Sequence, residues 1–523
     1  MTDVSNPPAA IELRGIDKWF GPVHANRGVS LAIARGSITG IIGENGAGKS
    51  TLMSILYGLY EADGGDILVD GQVLHFRGPA DAIKAGIGMV HQHFMLVETL
   101  SVLENVVLGA EAGPLLRGTL RDARAELERL AREYGLKVAI DAAVGGLPIG
   151  EQQRVEILKV LYRGARILIL DEPSAVLTPQ ETDQLFRILQ ALKARGVTII
   201  LITHKLREIM AVTDAVIVMR QGQVVAQRAT AATDRETLAE LMVGRKVRLA
   251  LDKTPAKPGV PVLVAERVEL TDRYGIKLID GIDLTLRAGE IVGIAGVSGN
   301  GQSELLEVLA GIRAPTAGRI VVGARAIDAA HPTEPAEMRA LGVAHVPEDR
   351  HRYGMVAPFE ARETAMLGYH HRAPFTHHGL LDQAAMSRHC DGLMERFDVR
   401  PPRPSQASGG FSGGNQQKLI LAREIAPEPR ALLVGQPTRG VDIGAIEFIH
   451  RRLVQMRDAG CAILVVSVEL DEVMALADRI LVMYGGRIVG EVAAANADER
   501  TLGLMMANVW PGAPAGTAAA AVS

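Results

Sequence analysis

At 523 residues the chain is too long for one ordinary core and implies at least two domains. A composition 48% hydrophobic and 22% charged excludes general disorder, and a net charge of −4 supplies no overall basic character of the kind nucleic-acid binding draws on. Two cysteines, Cys390 and Cys461, exclude a zinc ribbon and any disulfide framework beyond one bridge. The apolar runs are strand-sized and fall short of the roughly 20 residues of a spanning helix, so a cytosolic chain is expected and any membrane role falls to a partner.

In chain order, residues 1–9 read as an N-terminal tail without the basic and apolar run of a signal peptide. The apolar run Ile38–Ile42 reads as a strand, and Leu52–Tyr57 as a helix. Between them lies Gly43-Glu44-Asn45-Gly46-Ala47-Gly48-Lys49-Ser50-Thr51, a fit to the phosphate-loop pattern G-x-x-x-x-G-K-[ST] in its strand–loop–helix setting. Glycines let backbone N–H groups converge on phosphate oxygens, where the helix N-terminus adds a favourable field. Lys49 neutralises phosphate charge in this reading, and Ser50 is an oxygen ligand for Mg2+. The run from Arg166 is an apolar strand ending in Asp171 and Glu172. Asp171 suits holding Mg2+ through water, and Glu172 suits accepting a proton from an attacking water.

Residues 10–246 form the first expected domain, and 247–261, with Lys253, Pro255, Lys257 and Pro258, a linker. Residues 262–509 form the second domain and 510–523, small and turn-rich, a disordered tail. The second domain repeats the first. Asp214-Ala-Val-Ile-Val-Met-Arg-Gln-Gly-Gln-Val-Val225 returns as Asp478-Arg-Ile-Leu-Val-Met-Tyr-Gly-Gly-Arg-Ile-Val489, a strand, a glycine turn and a second strand. The spacing between copies is 253 at the glycine loop (43 to 296) and 264 later (150 to 414, 172 to 436). The extra 11 residues are expected around Tyr369–Met394, where added length costs least. Short apolar runs alternating with helical stretches predict an α/β fold with a mainly parallel sheet in each copy.

With these residues together, the chain resembles an ATP-binding cassette (ABC) ATPase along nearly its whole length. Ser412-Gly413-Gly414-Asn415-Gln416 resembles the family signature L-S-G-G-Q, and Gln153-Arg154 and Gln417-Lys418 match the polar pair that comes directly after that signature in the family. The resemblance implies two tandem phosphate-loop domains, each with a helical subdomain. It makes Gln92 the glutamine that senses Mg2+ and contacts a permease, and His204 the histidine near the γ-phosphate. Phe20 stands where such domains stack an aromatic on adenine, though a core aromatic is an equal reading; Tyr274 is its counterpart.

The copies are unequal. The second loop reads Gly296-Val-Ser-Gly-Asn-Gly301-Gln302-Ser303, with Gln302 in place of the lysine. Gly435 and Gln436 replace the two acids, Val468 the histidine and Glu348 the glutamine. In the first copy Pro148 occupies the signature serine position and offers neither hydroxyl nor N–H. Family pairing is head to tail, so one composite site joins the intact first loop to Ser412–Asn415. The other joins Gln302, Gly435, Gln436 and Val468 to Pro148. Nucleotide held at the second site is not expected to turn over.

The resemblance further implies ATP and Mg2+ as cofactors, two membrane permease subunits, an external solute-binding lipoprotein, and a place on the cytoplasmic face of the membrane. Such fused pairs resemble importers of nucleosides or simple sugars. Gly299-Asn-Gly-Gln-Ser303, Gln436-Pro-Thr-Arg-Gly440 and the loss of the second acids lean to nucleosides, with ribose or galactose as the alternative. A soluble ribosome-associated factor is the rival from another class, disfavoured by the short linker. His370, His371, His377, His378, His389 and Cys390 read as a surface loop, with a metal site as the alternative.

Overall fold

The computed structural model describes residues 9–508 apart from 92–93, 111–115, 175–176, 247–250, 252, 298 and 442. The chain divides into two compact units, Met1–Val247 and Arg248–Ser523. In the first, among the described residues, the strands are β1 (Ala9–Phe20), β2 (Val23–Ala34), β3 (Ile38–Ile42), β4 (Gly64–Val69), β5 (Gln72–Leu74), β6 (Ile87–Val90), β7 (Ile167–Asp171), β8 (Thr198–Ile202), β9 (Ala215–Arg220) and β10 (Gln223–Ala229). Ala9, expected in the tail, is the first residue of β1.

One sheet has the order β10-β9-β3-β8-β7-β6, parallel throughout except for the edge strand β10. Its central strands are covered on both faces, and so read as continuous apolar runs: every residue of Ile38–Ile42 and Thr198–Ile202 is buried. A second sheet, β2-β1-β4-β5, is antiparallel. Ile11, Ile16 and Ile33 from it join Leu52 and Ile55 of the helix Lys49–Leu56, and Ile41, Ile169 and Ile200 of the parallel sheet, in one core. A second core joins the other face of that sheet, through Leu168 and Leu170, to the helices Val102–Val107, Leu116–Tyr134 and Ile149–Tyr162.

The second unit repeats this plan with β11 (Pro261–Thr271), β12 (Lys277–Arg287), β13 (Ile291–Ala295), β14 (Ala317–Val322), β15 (Arg325–Ile327), β16 (Val343–Val346), a hairpin β17 (Thr376–His377) and β18 (Leu380–Leu381), then β19 (Ala431–Gly435), β20 (Ala462–Val466), β21 (Arg479–Tyr484) and β22 (Arg487–Ala493). Its sheets run β16-β19-β20-β13-β21-β22 and β12-β11-β14-β15. The antiparallel sheets are a finding that alternation of apolar runs and helices did not resolve. The extra length is divided. The spacing is already 256 where β6 and β16 begin, at Ile87 and Val343, and reaches 264 at the helices Ile149–Tyr162 and Gly413–Ile425. The β17–β18 hairpin lies in this later stretch.

The repeated Asp214 and Asp478 have the same task. Asp214 accepts from the Ile38 N–H at 2.9 Å and Asp478 from the Ile291 N–H at 2.8 Å, which ties β9 to β3 and β21 to β13 at their starts. Lys253, within the expected linker, donates to the Leu476 and Ala477 carbonyls at 2.7 and 2.6 Å and pairs with Asp478 at 2.7 Å. That end of the stretch is therefore docked on the second unit.

Candidate functional site

In an open parallel sheet, ligands bind beyond the carboxyl ends of the strands. The first unit puts its candidate residues there on adjacent strands: the Gly43–Thr51 loop after β3, His204 after β8, and Asp171 and Glu172 at the end of β7. Gln92, two residues past β6, lies outside the described residues.

The loop is held from two sides. Gly48 has φ 92°, and a Cβ there would stand 2.4 Å from the Ala25 carbonyl, so a side chain is excluded by both backbone and neighbour. Asn26, on β2, donates from Nδ2 to the Gly48 carbonyl at 3.1 Å, and the Gly222 N–H donates to the Ala47 carbonyl at 3.1 Å. Nothing in local sequence marks Asn26, since its partner is 22 residues away. Its counterpart in the second unit is the apolar Ile279, also buried.

Lys49 is buried, with Nζ donating to the Gly43 and Glu44 carbonyls at 2.7 and 3.0 Å. Burial lowers its pKa, while Glu172, Asp171 and Glu44 act the other way, which puts the cation and both acids in one electrostatic neighbourhood. Burial, reinforced by the charge on Glu172, pushes Asp171 up to about 6. Glu172 is held below the usual carboxylate range, first by its hydrogen bond with His204. The His204 Nδ1–Glu172 Oε1 distance is 2.9 Å. Glu172 also has φ 46°, a left-handed conformation that costs a non-glycine residue about 1–3 kcal/mol and is concentrated at functional sites. Below it, buried Glu208 accepts from Thr203 Oγ1 at 2.9 Å and from Ser174, supporting the segment that carries His204.

Phe20 is 42% exposed and meets Tyr60 edge-on at 5.2 Å, so the core-aromatic reading fails. Tyr274 is 72% exposed. The donor set fits a hard divalent cation: Ser50 supplies a hydroxyl at the start of the helix Lys49–Leu56, and Asp171 a carboxylate in a poorly solvated place where a cation would favour its charged form.

The second unit keeps the backbone and changes the groups. Gly301 has φ 99°, and Gln436 has φ 49° where Glu172 has 46°. Gln302 is buried and closes its loop on itself: Nε2 donates to the Val297 carbonyl at 3.0 Å, and Oε1 accepts from the Asn300 N–H at 3.1 Å. Gly296 lies under it, a Cβ there being only 2.3 Å from Gln302 Nε2. Gln436 Oε1 accepts from the Val468 N–H at 3.2 Å. Ser303 donates to Glu348 Oε2 at 2.5 Å, a contact that sequence spacing did not suggest.

The signature segments cap helices. Ser412 is the N-cap of Gly413–Ile425 and receives Asn415 Nδ2 at 2.8 Å; Pro148 is the N-cap of Ile149–Tyr162 with no side-chain bond. Both cysteines are free and buried, and among the described residues no group of three or more His, Cys, Asp or Glu side chains could hold a metal. No helix among those residues is long and apolar enough to cross a membrane.

The ABC transporter family model matches residues 26–175 and 279–439. A glucose import ATP-binding protein of Haloferax volcanii is 45% identical, over 95% of this chain and 95% of its own length. A nucleoside import ATP-binding protein of Lactococcus lactis is 44% identical, over 95% of this chain and 97% of its own. Among solved structures, an archaeal ribosome recycling factor in complex with a ribosomal stalk protein aligns with a TM-score of 0.58 over 92% of this chain and 90% of that one. At 18% identity that likeness concerns the fold alone.

Proposed function

The chain belongs to the ABC transporter family, and on that premise we propose that its first unit is the working ATPase of an importer and its second a non-hydrolysing partner. It is an ATP-binding import subunit that hydrolyses ATP to drive uptake of a nucleoside or a sugar. The observation that carries the division of labour is the convergence of Lys49, Asp171, Glu172 and His204 in one unit, against Gln302, Gly435, Gln436 and Val468 in the other.

In the first unit the Gly43–Thr51 loop cradles the phosphates, and Lys49 exchanges its loop carbonyls for phosphate oxygens. Phe20, exposed near the hairpin that braces the loop, offers a face for the adenine. Glu172 takes the proton of the attacking water, and His204 holds that carboxylate ionised and oriented. Bound Mg2+, for which Ser50, Asp171 and Gln92 are the ligand set, supplies charge neutralisation at the β- and γ-phosphates. Ser412–Asn415 complete this site from the other unit by head-to-tail pairing, and Pro148 leaves the second site without the same group.

The partners are membrane permeases, with an external solute-binding lipoprotein delivering solute, and the chain sits on the cytoplasmic face of the membrane. A cleft lined by Tyr57, Met89, His91, Met95, Glu156 and Arg163, beginning at the residue before Gln92, is the permease surface of the first unit; the surface near Glu348 is that of the second. Nucleosides are the favoured solute, on the loss of both acids at Gly435 and Gln436. The test is uptake of labelled nucleosides, ribose and galactose in cells lacking the protein, complemented with wild type or Glu172→Gln. Nucleoside uptake restored by wild type alone is expected. Loss of a sugar instead overturns the solute, and restoration by Glu172→Gln overturns the assignment of the catalytic base.

A further inference from the structure

The second unit has lost its strand-end acids, yet a carboxylate stands beside the gap. Glu348 follows β16 by two residues, and β16 pairs in parallel with β19, which ends at Gly435. A Cβ on Gly435 would lie 2.9 Å from the Glu348 nitrogen and 3.1 Å from its Cβ, so the missing side chain is what lets Glu348 lie against the strand end. Its Oε2 accepts from Ser303 Oγ at 2.5 Å. Ser303 is the second residue of the helix Gln302–Leu309, as Ser50 is of Lys49–Leu56. Arg439 approaches the other oxygen at only 3.5 Å and is largely exposed, so it competes weakly for the carboxylate.

We propose that Glu348 is a relocated divalent-cation ligand: with Ser303 it holds the Mg2+ of a nucleotide that the second loop binds and does not hydrolyse. This rests on reading Gly296–Ser303 as a nucleotide loop. The charges support it. The first unit places one cation and two acids around its loop, a balance of one negative charge. The second replaces all three by neutral residues and restores one negative charge at Glu348. The ligand types are right, because Mg2+ takes hard oxygens in an octahedron that phosphates and water complete. With bonds of 2.0–2.1 Å, neighbouring ligands lie about 3 Å apart. Ser303 and Glu348 need to part by only about half an ångström to admit the ion.

The lost lysine sharpens the consequence. With Gln302 spent on Val297 and Asn300, no loop cation offsets the phosphates, and that task passes to the metal. Nucleotide binding at the second loop should therefore depend on Mg2+ more steeply than at the first. Hydrolysis is not expected there, because the Gln436 carboxamide cannot take a proton and its oxygen is occupied by the Val468 N–H.

The test uses the full chain with Lys49→Ala, which cripples the first loop. Fluorescent methylanthraniloyl-ATP is titrated with Mg2+ or with EDTA, and Mn2+–ATP is followed by electron paramagnetic resonance. Retained binding that EDTA abolishes is expected. Adding Glu348→Gln should weaken Mn2+–ATP by at least about tenfold, the scale seen even for groups that only support a metal ligand. The carboxamide introduced by Glu348→Gln can still accept from Ser303, so this variant removes the charge and keeps the latch; Ser303→Ala is the second variant and should fall likewise. Unchanged Mn2+–ATP affinity in Glu348→Gln, or binding indifferent to EDTA, would falsify the assignment. Nucleotide bound by wild type and lost in Lys49→Ala overturns this inference and leaves the ATPase reading standing. If wild type binds none, both fall.

Discussion

The two units share strand order, loop backbone and even the strained residue after the acid strand, and they differ in what that backbone presents. Glu172 and Gln436 have φ of 46° and 49°, and their N–H groups donate to the Ile202 and Val466 carbonyls at 2.9 and 2.7 Å. The conformation thus survives where its proton acceptor does not, so it belongs to the scaffold and the chemistry to the side chain placed on it. Gln302 makes the same point. It takes the place of Lys49 under the loop and bonds to loop carbonyl and N–H groups, keeping the loop's shape without a cation. A nucleotide site can be silenced at the level of charge while its fold is preserved.

The largest effect that can break this comparison is at Glu172. Glu172→Gln should lower steady-state ATP hydrolysis by the purified full chain by about 10²–10⁴-fold, the usual worth of a positioned proton acceptor. Adding Gln436→Glu should recover nothing, because Gly435 and Gln302 remain. A double variant near wild-type turnover would show that the units are interchangeable. Next comes Lys49→Gln, which copies the second loop into the first. Methylanthraniloyl-ATP affinity at the first loop should drop by about tenfold or more through loss of a cation at the phosphates. An unchanged affinity would make the Gln302 loop a full equivalent. Third, His204→Ala removes the hydrogen bond that keeps Glu172 ionised and oriented. We expect kcat to fall by about 10–100-fold with little change in KM, since the group acts through the base and not on ground-state binding. A change confined to KM would place His204 on the nucleotide alone.

Much of this was legible in the residues, for a physical reason. A phosphate loop and the acids at the end of an apolar strand are local patterns, each imposed by a few neighbouring backbone positions. The duplication then exposed every departure by position, from Gln302 to Pro148. What escaped were contacts made across the sheet order. Ser303 and Glu348 are 45 residues apart, Glu172 and His204 are 32 apart, and each pair meets because its strands are neighbours. The antiparallel sheets escaped similarly, since β1 pairs on one edge with β2 and on the other with β4, past the loop and its helix. Lys253 looked like linker because Lys and Pro composition does not reveal the carbonyls at Leu476 and Ala477 that receive it.

The smallest effect tests whether the asymmetry reaches the helix caps. Pro148 and Ser412 have nearly the same extended backbone, φ −54° with ψ 150° and φ −61° with ψ 155°, so Pro148→Ser fits without strain. A serine N-cap stabilises a helix by about 0.5–2 kcal/mol. The gain here is smaller, because removing proline frees the unfolded chain by about 0.4–1 kcal/mol. Ser412→Ala has no such offset, though the Ser412 cap is weak: its bond from the Asn415 N–H is long, at 3.5 Å, and it leans on Asn415 Nδ2 at 2.8 Å. The loss should therefore lie near the lower end, about 0.5–1 kcal/mol. Amide exchange reads each helix start locally, which matters in a chain of two units that need not unfold together. Ser412→Ala should speed exchange at the first turn of Gly413–Ile425 by about two- to fivefold. Pro148→Ser should slow exchange at Glu151, the residue its hydroxyl would reach, by a smaller factor. Equal and opposite changes at the two helices would mean that the caps, unlike the loops, are interchangeable between the units.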